Sequence, residues 1–450
     1  MKKYEKISLD RKSPQYLYLQ VFEKIKNMII DGELEQNSKL PPIRRLASFL
    51  NVNNSTIVNS YNLLEREGYV YKKVGSGTFV SPQKGKDFEN EILLKKYPID
   101  ETLTGLDKEQ INIREDMISF ASATPTHDLF PVEDFKELLN EVLDRDGGEA
   151  FGYHESQGYY PLRKSLANYL SEYDIDTNPD NIQIISGAQQ GIDIISKAFV
   201  EYNDTVLVES PTYTGAIATF QSRGAKIAPV RILEDGIDIR LFEESIQIYR
   251  PKLFYLMPNF QNPTGYSYTK EKKLAIMEIA QKYDLLIVED DYLSDLNFYS
   301  HDCCSLKSLD KKDTIIYIKS FSKIFMPGLR LGFLVIPPKY SHEILSAKHT
   351  SDISTSGLNQ RVFDLYLKKG IWKKRIEHMK SIYKMRFDAM HQSLEKYMLK
   401  GTVEYIPPKG GLNFWLGLPE GYSSNQLYNQ AAKENILILI LKMGIHIIDL

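Results

Sequence analysis

Apolar positions in the first 82 residues recur every three or four residues, between short breaks rich in glycine, proline and asparagine. This spacing predicts helices over residues 18–30, 43–50 and 55–67, the last two joined by the tight turn Asn51-Val52-Asn53. Two short β-type runs, 69–73 and 78–80, flank Gly75-Ser76-Gly77. A helix-turn-helix followed by a β-hairpin is the pattern of a winged helix.

Residues 117–450 contain at least seven short runs that are apolar on both faces, separated by amphipathic stretches. The runs are 182–186, 205–209, 226–230, 253–257, 285–289, 315–319 and 332–336. This alternation predicts an α/β domain with a seven-stranded, mostly parallel sheet that is covered by helices. Ligands of such sheets bind beyond the carboxyl ends of the strands.

Residues 83–116 are charged and aperiodic, which predicts a linker. We therefore expect a winged-helix domain at 14–82, the linker, and an α/β domain at 117–450. The 450 residues suit this division, since a domain has roughly 100–200 residues.

Charge is unevenly distributed along the chain. Residues 1–83 hold 13 Lys and Arg against 8 Asp and Glu, a net charge of +5, whereas the remainder holds 43 against 51, a net of −8. A basic head on an acidic body is expected if only the head meets nucleic acid. No apolar run is long enough for a membrane helix, the first 13 residues do not resemble a secretion signal, and the two cysteines are neighbours. We therefore expect a reduced, cytoplasmic protein without a metal site and without membrane partners.

The basic head has residues suited to DNA. The third helix begins at Ser55-Thr56, whose hydroxyls and free N–H groups can meet phosphates or base edges. The basic residues expected to neutralise phosphates are Arg44, Arg45, Lys72 and Lys73. A helical docking module with a solvated basic face also fits this pattern.

The stretches LPPIRRLA (40–47), STIVNSY (55–61), LEREGY (64–69) and GSGTFV (75–80) resemble the GntR-type winged helix. The resemblance implies that Arg44, Thr56 and the wing near Gly77 face DNA. One position departs from the family, which usually has arginine where this chain has Asn54. Asparagine reads adenine and arginine prefers guanine, so either the operator is expected to favour A·T pairs there or weaker binding at that position is offset elsewhere.

The α/β region contains a lysine in a setting that suits a phosphorylated aldehyde. Lys323 follows the run 315–319, and its amine could form a Schiff base. Ser320, Ser322 and Arg330 could hold a phosphate dianion.

Three other strand ends offer complementary groups. Asp290 could pair with a protonated pyridine nitrogen and Tyr292 with the ring's 3′ oxygen, for which an asparagine amide from the turn at 258–265 could also serve. Gly187 opens a helix whose free N–H groups could seat the phosphate.

Residues 117–435 resemble the class I aminotransferases of fold type I, through NPTG at 262–265 and the motif from Ser320 to Arg330. The resemblance implies pyridoxal 5′-phosphate (PLP) as cofactor, covalently bound by Lys323. The implied contacts are Asp290 to the pyridine nitrogen, Asn262 and Tyr292 to the 3′ oxygen, Tyr213 stacked on the ring, and Gly187, Ala188, Gln189, Ser320, Ser322 and Arg330 around the phosphate. Tyr153 falls where the family often reaches the phosphate of a neighbouring subunit.

The union of both modules resembles the MocR family of bacterial transcription regulators, over residues 14–435. This implies an operator DNA partner and a homodimer. Two features depart from the catalytic and GABA-responsive relatives. No arginine follows Arg386 to hold a substrate carboxylate, and Gly215 stands where GABA-responsive relatives have a basic residue. The tail after residue 435 is also shorter than the family's. This fits either a truncation or frameshift near residue 438 or a lineage whose tail is short.

These departures favour a regulator that senses PLP itself, resembling the PdxR-like members that control vitamin B6 genes, over a catalyst. A regulator responding to a PLP–amino acid adduct, and controlling amino-acid metabolism, is the next expectation. The alternative is a metabolic PLP-dependent aminotransferase acting on an amino acid and a 2-oxo acid.

Overall fold

The structure is a computed structural model. It describes residues 2–7, 9, 17–35, 37–66, 69–73, 77–81, 117–121, 124–299, 304–398, 403–419, 422–441 and 445–449. The chain divides into two compact units, Met1–Leu94 and Lys95–Leu450. The linker predicted at 83–116 lies outside the described residues and stays a prediction.

The first unit is a three-helix core with a hairpin. Its elements are α1 (Leu17–Ile30), α2 (Ile43–Leu50), α3 (Asn54–Arg66), β1 (Val70–Lys73) and β2 (Gly77–Val80). Val21, Ile25, Leu46, Ile57 and Leu64 are buried together, as the three- and four-residue spacing predicts. The helix-turn-helix and wing are present, and α3 begins one residue earlier than predicted, at Asn54.

The wing is joined to the segment before α2 by an isolated β-bridge that was not predicted. β1 and β2 pair antiparallel, and Lys39 forms a bridge with Phe79 on the other side of β2. The Leu40 N–H donates to the Thr78 carbonyl oxygen over 2.8 Å. This pairing fixes the wing to the segment that leads into α2.

The second unit is built on one large sheet. Its strands are β4 (Ile182–Ile185), β5 (Thr205–Ser210), β6 (Lys226–Leu233), β7 (Gly236–Ile237), β8 (Leu253–Leu256), β9 (Leu286–Asp291), β10 (Ile315–Ser320) and β11 (Gly332–Val335). Their order is β4-β11-β10-β9-β8-β5-β6-β7; β11 and β7 run antiparallel to their neighbours and the other pairs are parallel. All seven predicted strands are present, but the sheet has eight. The eighth, β7, has two residues and is too short to show as an apolar run.

Helices cover both faces of this sheet. The helices of the second unit are α4 (Val132–Asp146), α5 (Tyr160–Ser171), α6 (Ala188–Phe199), α7 (Thr214–Ser222), α8 (Ile239–Tyr249), α9 (Lys270–Lys282), α10 (Leu306–Leu309), α11 (Ser341–Asp352), α12 (Gly357–Lys368), α13 (Ile371–Tyr397) and α14 (Ser424–Lys433). Val206 and Val208 of β5 pack in one apolar cluster and Leu207 in another. Since successive strand side chains point to opposite faces, the two clusters are the two sides of the sheet.

Two smaller sheets complete the second unit. β12 (Asn413–Gly417), β14 (Leu439–Leu441) and β15 (Ile445–Asp449) form one, with β15 in the middle, and β3 (Ile118–Ser119) pairs with β13 (Ile436–Leu437) in the other. None of these strands was predicted. Among the described residues, no helix is both long and apolar enough to cross a membrane.

Candidate functional site

The predicted DNA-facing residues of the first unit lie on α2, the start of α3 and the wing. Arg44 and Arg45 are exposed on α2, Asn54 and Ser55 are exposed in the first turn of α3, and Thr56 is half-buried there. The first N–H groups of a helix have no partner within the helix, so this turn can meet an anion. Their contact with DNA stays a prediction.

The wing brings a further basic residue to the same unit. Lys72 and Lys73 end β1, opposite Thr78 and the exposed Gly77, and their side chains lie outside what the structure describes. Lys39 is exposed, and a Cβ at Gly77 would lie 2.9 Å from its Cε. Sequence reasoning missed Lys39 because it precedes the helix-turn-helix, and only the pairing with Phe79 brings it to the wing.

The second unit brings Gly187 and Arg330 together at the amino end of α6. Gly187 is the residue before the helix and has a φ of 87°, in the left-handed region that favours glycine. A Cβ there would lie 2.8 Å from Nη2 of Arg330, and that Nη2 donates to the Ser186 carbonyl oxygen over 2.8 Å. A guanidinium beside a free helix amino terminus is a cradle for a phosphate.

The serines of the lysine motif lie next to this cradle. Ser320 ends β10 and pairs with Gly332, where a Cβ would lie 3.4 Å from the Cα of Gly187. The hydroxyl of Ser320 donates to that of Ser322 over 3.2 Å, and Lys323, the next residue, is half-buried. Ala188 and Gln189 form the first turn of α6. The predicted phosphate residues therefore meet at one end of the sheet.

Asp290 lies in β9 and is buried with one oxygen in use. Its Oδ2 accepts a hydrogen bond of 2.6 Å from the Tyr255 hydroxyl, whereas the buried Oδ1 has no hydrogen-bond partner among the described residues. Burial raises the pKa of Asp290 to about 7, and the hydrogen bond from Tyr255 works against that rise. An unpartnered buried carboxylate oxygen suits a pyridine N–H donor.

Tyr213 lies between the two ends of the site. Its hydroxyl donates to Oε1 of Gln189 over 2.9 Å. Burial raises the pKa of Tyr213, the charge of Asp290 raises it further, and the charge of Arg330 lowers it. A Cβ at Gly215 would strike the Tyr213 ring. Glycine at 215 therefore leaves room for that ring.

The turn that contains Asn262 is held in place by hydrogen bonds to a buried glutamate. Glu209, in β5, accepts from Nε2 of Gln261 over 3.1 Å and from the Tyr268 hydroxyl over 2.5 Å, and burial raises its pKa to about 8. The Tyr292 hydroxyl donates to the Phe260 carbonyl oxygen in the same turn over 3.0 Å, and Asn262 is half-buried.

A second buried network lies beside Asp290. Lys319 of β10 pairs with Asp291 over 3.3 Å and with Asp295 over 2.8 Å. Burial lowers the pKa of Lys319, but the two carboxylates outweigh it and the net shift is upward. Sequence reasoning missed Tyr255, Glu209 and Lys319 because they stand in runs that read as apolar core. The signal available was a polar atom in a buried strand, which needs a partner.

Tyr153 does not join the other predicted residues. Its side chain is 91% exposed, on a segment that precedes α5. The expected contact with a neighbouring subunit stays a prediction.

The residues present fit PLP. The Oδ1 of Asp290, which has no hydrogen-bond partner among the described residues, can accept from the pyridine nitrogen, and the amino end of α6 with the Arg330 guanidinium that packs against Gly187 can take the phosphate. Lys323 is half-buried beyond β10, and its role as the amine for the aldehyde stays a prediction. No cluster of metal-ligating side chains is found in the part of the chain that the structure describes.

Fold and site together define a PLP-binding protein of aminotransferase type that also has a winged helix-turn-helix unit. The family "Aminotransferase class I and II" matches residues 115–449, and "Bacterial regulatory proteins, gntR family" matches residues 17–80. The chain therefore belongs to the class I and II aminotransferase family, in the MocR-type group that has an N-terminal GntR domain.

Individual relatives agree. The HTH-type transcriptional regulator YdfD of Bacillus subtilis is 29% identical, over 94% of this chain and 88% of its own. The probable rhizopine catabolism regulatory protein MocR of Rhizobium meliloti is 27% identical, over 84% and 77%. The crystal structure of kynurenine aminotransferase from Pyrococcus horikoshii, in complex with PMP, superposes with a TM-score of 0.71 at 29% identity and covers 78% of this chain and 88% of that chain.

Proposed function

We propose that the protein is a transcription regulator whose first unit binds operator DNA and whose second unit senses PLP. The observation that carries this is the presence in one chain of an exposed helix-turn-helix surface and of a candidate PLP site in which Oδ1 of Asp290 has no hydrogen-bond partner among the residues that the structure describes. The relatives that match across both units are named as regulators. A cytoplasmic location follows from this role.

The residues have separate tasks in the sensing site. Bound there, PLP supplies an aldehyde that an amine can hold covalently and a ring that withdraws electrons. Lys323 provides the amine, Asp290 keeps a proton at the pyridine nitrogen, and Arg330 with the amino end of α6 binds the phosphate. Tyr213 covers the ring and is oriented by Gln189.

PLP can regulate DNA binding only if it binds two arrangements of the protein with different affinity. The direct experiment titrates fluorescent DNA from upstream of the protein's own gene with the PLP-free and the PLP-saturated protein. We expect the two DNA dissociation constants to differ at least severalfold for wild type and to coincide for Lys323→Ala. Equal constants for wild type would exclude the sensor function.

A homodimer is part of the proposal. The segment with Phe151, Tyr153 and Tyr160 exposes three aromatic side chains, an arrangement common at protein interfaces. Sedimentation of the full chain should give twice the monomer mass. We expect Tyr153→Phe to keep the dimer and to weaken PLP binding.

An aminotransferase is the second candidate, favoured by the set of PLP residues and by the kynurenine aminotransferase fold. Gly215 stands two positions after Tyr213, where GABA-responsive relatives have a basic residue, and this argues for sensing of PLP itself instead. Mixing the PLP-bound protein with single amino acids and following the visible spectrum separates the two. Rapid multiple turnover with a 2-oxo acid, together with DNA affinity that does not respond to PLP, would establish the enzyme.

A further inference from the structure

The turn that leads into α6 is held by a chain of polar side chains that the site described above does not use. The Ser186 N–H donates to Oε1 of Gln190 over 2.6 Å, and Nε2 of Gln190 donates to Oδ2 of Asp352 over 2.8 Å. Asp352 in turn forms an ion pair with Lys348, one turn earlier on α11. The chain thus joins the end of α11 to the residue before Gly187.

The far end of this chain is buried. The side chain of Lys348 has no exposed surface, so its ammonium depends on Asp352 for charge neutralisation. Burial lowers the pKa of Lys348. Because one carboxylate oxygen serves Lys348 and the other serves Gln190, the orientation of the Gln190 amide is fixed.

The near end acts on the phosphate cradle. Gln190 is the third residue of α6, and a glutamine at this position can reach back to an N–H before the helix. Here that N–H belongs to Ser186, whose carbonyl oxygen accepts from Nη2 of Arg330. Both polar groups of the Ser186 backbone are therefore engaged, one by Gln190 and one by the guanidinium. A shift of the Ser186 backbone would therefore move Arg330 and the amino end of α6 together.

We propose that Gln190, Asp352 and Lys348 are positioning residues that preorganise the phosphate cradle from α11. This deepens the proposed function, on which it rests. The three residues touch the backbone and each other, not the cofactor. Their loss should therefore weaken recognition of the phosphate and leave recognition of the ring and aldehyde intact.

The test compares PLP with pyridoxal, which has the same ring and aldehyde without the phosphate. Dissociation constants of both are measured on the full-length protein by the visible absorbance of the bound form. For Gln190→Met, which keeps the length and loses both hydrogen bonds, we expect PLP to bind about tenfold more weakly, equivalent to about 1.4 kcal/mol. Pyridoxal should change less than twofold.

A double variant, Lys348→Met with Asp352→Ala, removes both charges together and leaves no unpaired buried ion. It should weaken PLP binding about threefold, because Gln190 can still accept from Ser186, and it tests the proposal independently if Gln190→Met does not fold. The matched control is Lys384→Met with Asp388→Ala on α13, which removes an ion pair of the same spacing. The control should bind both ligands like wild type.

Several outcomes overturn the inference. PLP and pyridoxal weakened by the same factor would indicate general damage to the unit, and neither weakened would show that the chain is irrelevant. In both cases wild type still binds PLP and the proposed function stands. A wild type that binds neither ligand would overturn the function and this inference together.

Discussion

Two helix amino termini in this molecule are proposed to meet phosphates, and they are built differently. The start of α3 is exposed, with Asn54 and Ser55 on its surface, and its basic neighbours Arg44 and Arg45 stand free of the core. The start of α6 lies beside the guanidinium of Arg330, which donates to the Ser186 carbonyl oxygen, and Gln190 accepts from the Ser186 N–H. The first can adapt to a long, uniform polyanion, whereas the second is preformed for one small dianion.

The two phosphate-binding helix ends should therefore obtain their specificity in different ways. Exposed charges attract phosphate over a distance and are screened by salt. A cradle whose guanidinium and backbone are already held by hydrogen bonds loses little order when it binds a phosphate, so its affinity depends on geometry. Changes to the first surface should therefore appear in salt dependence, and changes to the second in the affinity for PLP.

The largest expected effect is on stability and concerns the buried carboxyl of Asp290 in the second unit. Burial raises the pKa of Asp290 from 3.8 to about 7, so the PLP-free folded protein retains a proton that the unfolded chain has released. The contribution of Asp290 to the free energy of unfolding must then decrease as pH rises from about 4 to about 7, because the unfolded state binds fewer protons than the folded state over that range. Asp290→Asn should remove this decrease and stabilise the PLP-free protein at pH 8 by at most about 4 kcal/mol.

Denaturant unfolding of the PLP-free protein at pH 5 and pH 8 measures this effect. Burial also raises the pKa of Glu209 to about 8 and of Glu289 to about 7, so wild type will show a larger pH dependence than Asp290 alone explains. The difference between wild type and Asp290→Asn isolates the one carboxyl. A variant less stable than wild type at pH 8 would contradict the assignment.

Arg330→Ala should weaken PLP binding about a hundredfold, because it removes a charged donor from the preformed cradle. DNA affinity of the PLP-free protein should not change. Titration of each ligand gives both numbers. Arg361→Ala is the control for loss of a guanidinium elsewhere in the same unit, where it pairs with Asp146. An equal loss in both variants would refute the cradle.

The Arg44→Ala, Arg45→Ala double variant should weaken DNA binding tens of fold at low salt. The slope of log affinity against log salt should fall by about 2, since each lost phosphate contact contributes about 0.9. Affinity for PLP should be that of wild type. Fluorescence anisotropy at four salt concentrations measures the slope, and an unchanged slope would mean that neither arginine meets a phosphate.

The smallest expected effect is steric. Gly187→Ala forces a left-handed residue and places a methyl against the Arg330 guanidinium, so PLP should bind about tenfold more weakly. Gly370→Ala is matched, since its φ of 68° is also left-handed but a Cβ there meets nothing within 4 Å. The control should lose about 1 kcal/mol of stability and no PLP affinity. Equal PLP affinity in the two variants would show that the contact with Arg330 is harmless.

The winged helix and the large sheet could be predicted because local pattern determines them. The spacing of Val21, Ile25 and Met28 predicts α1, and runs that are apolar on both faces, such as 253–257, predict buried strands. Motifs at strand ends led to Lys323, Asp290 and Arg330. The structure places Arg330 beside Gly187 and places Asp290 at a strand end of the same sheet.

What escaped prediction depends on pairing across the chain. Gln190 and Asp352 are 162 residues apart, and nothing in the sequence around either residue indicates that they meet. In the run LFYL, the sequence does not distinguish Tyr255 from an apolar core residue. The structure shows that its hydroxyl donates to Asp290. The strands β12 and β15 are not adjacent in the sequence and pair only in the folded chain, so no local pattern predicts them.

The central claim is that PLP in the second unit controls DNA binding by the first. The most direct measurement is the dissociation constant for upstream DNA, with and without saturating PLP, for wild type and for Lys323→Ala. The account predicts at least a severalfold PLP-dependent change for wild type and none for Lys323→Ala. A wild type that is shown by its absorbance to be saturated with PLP, yet binds DNA with an unchanged constant, would contradict it.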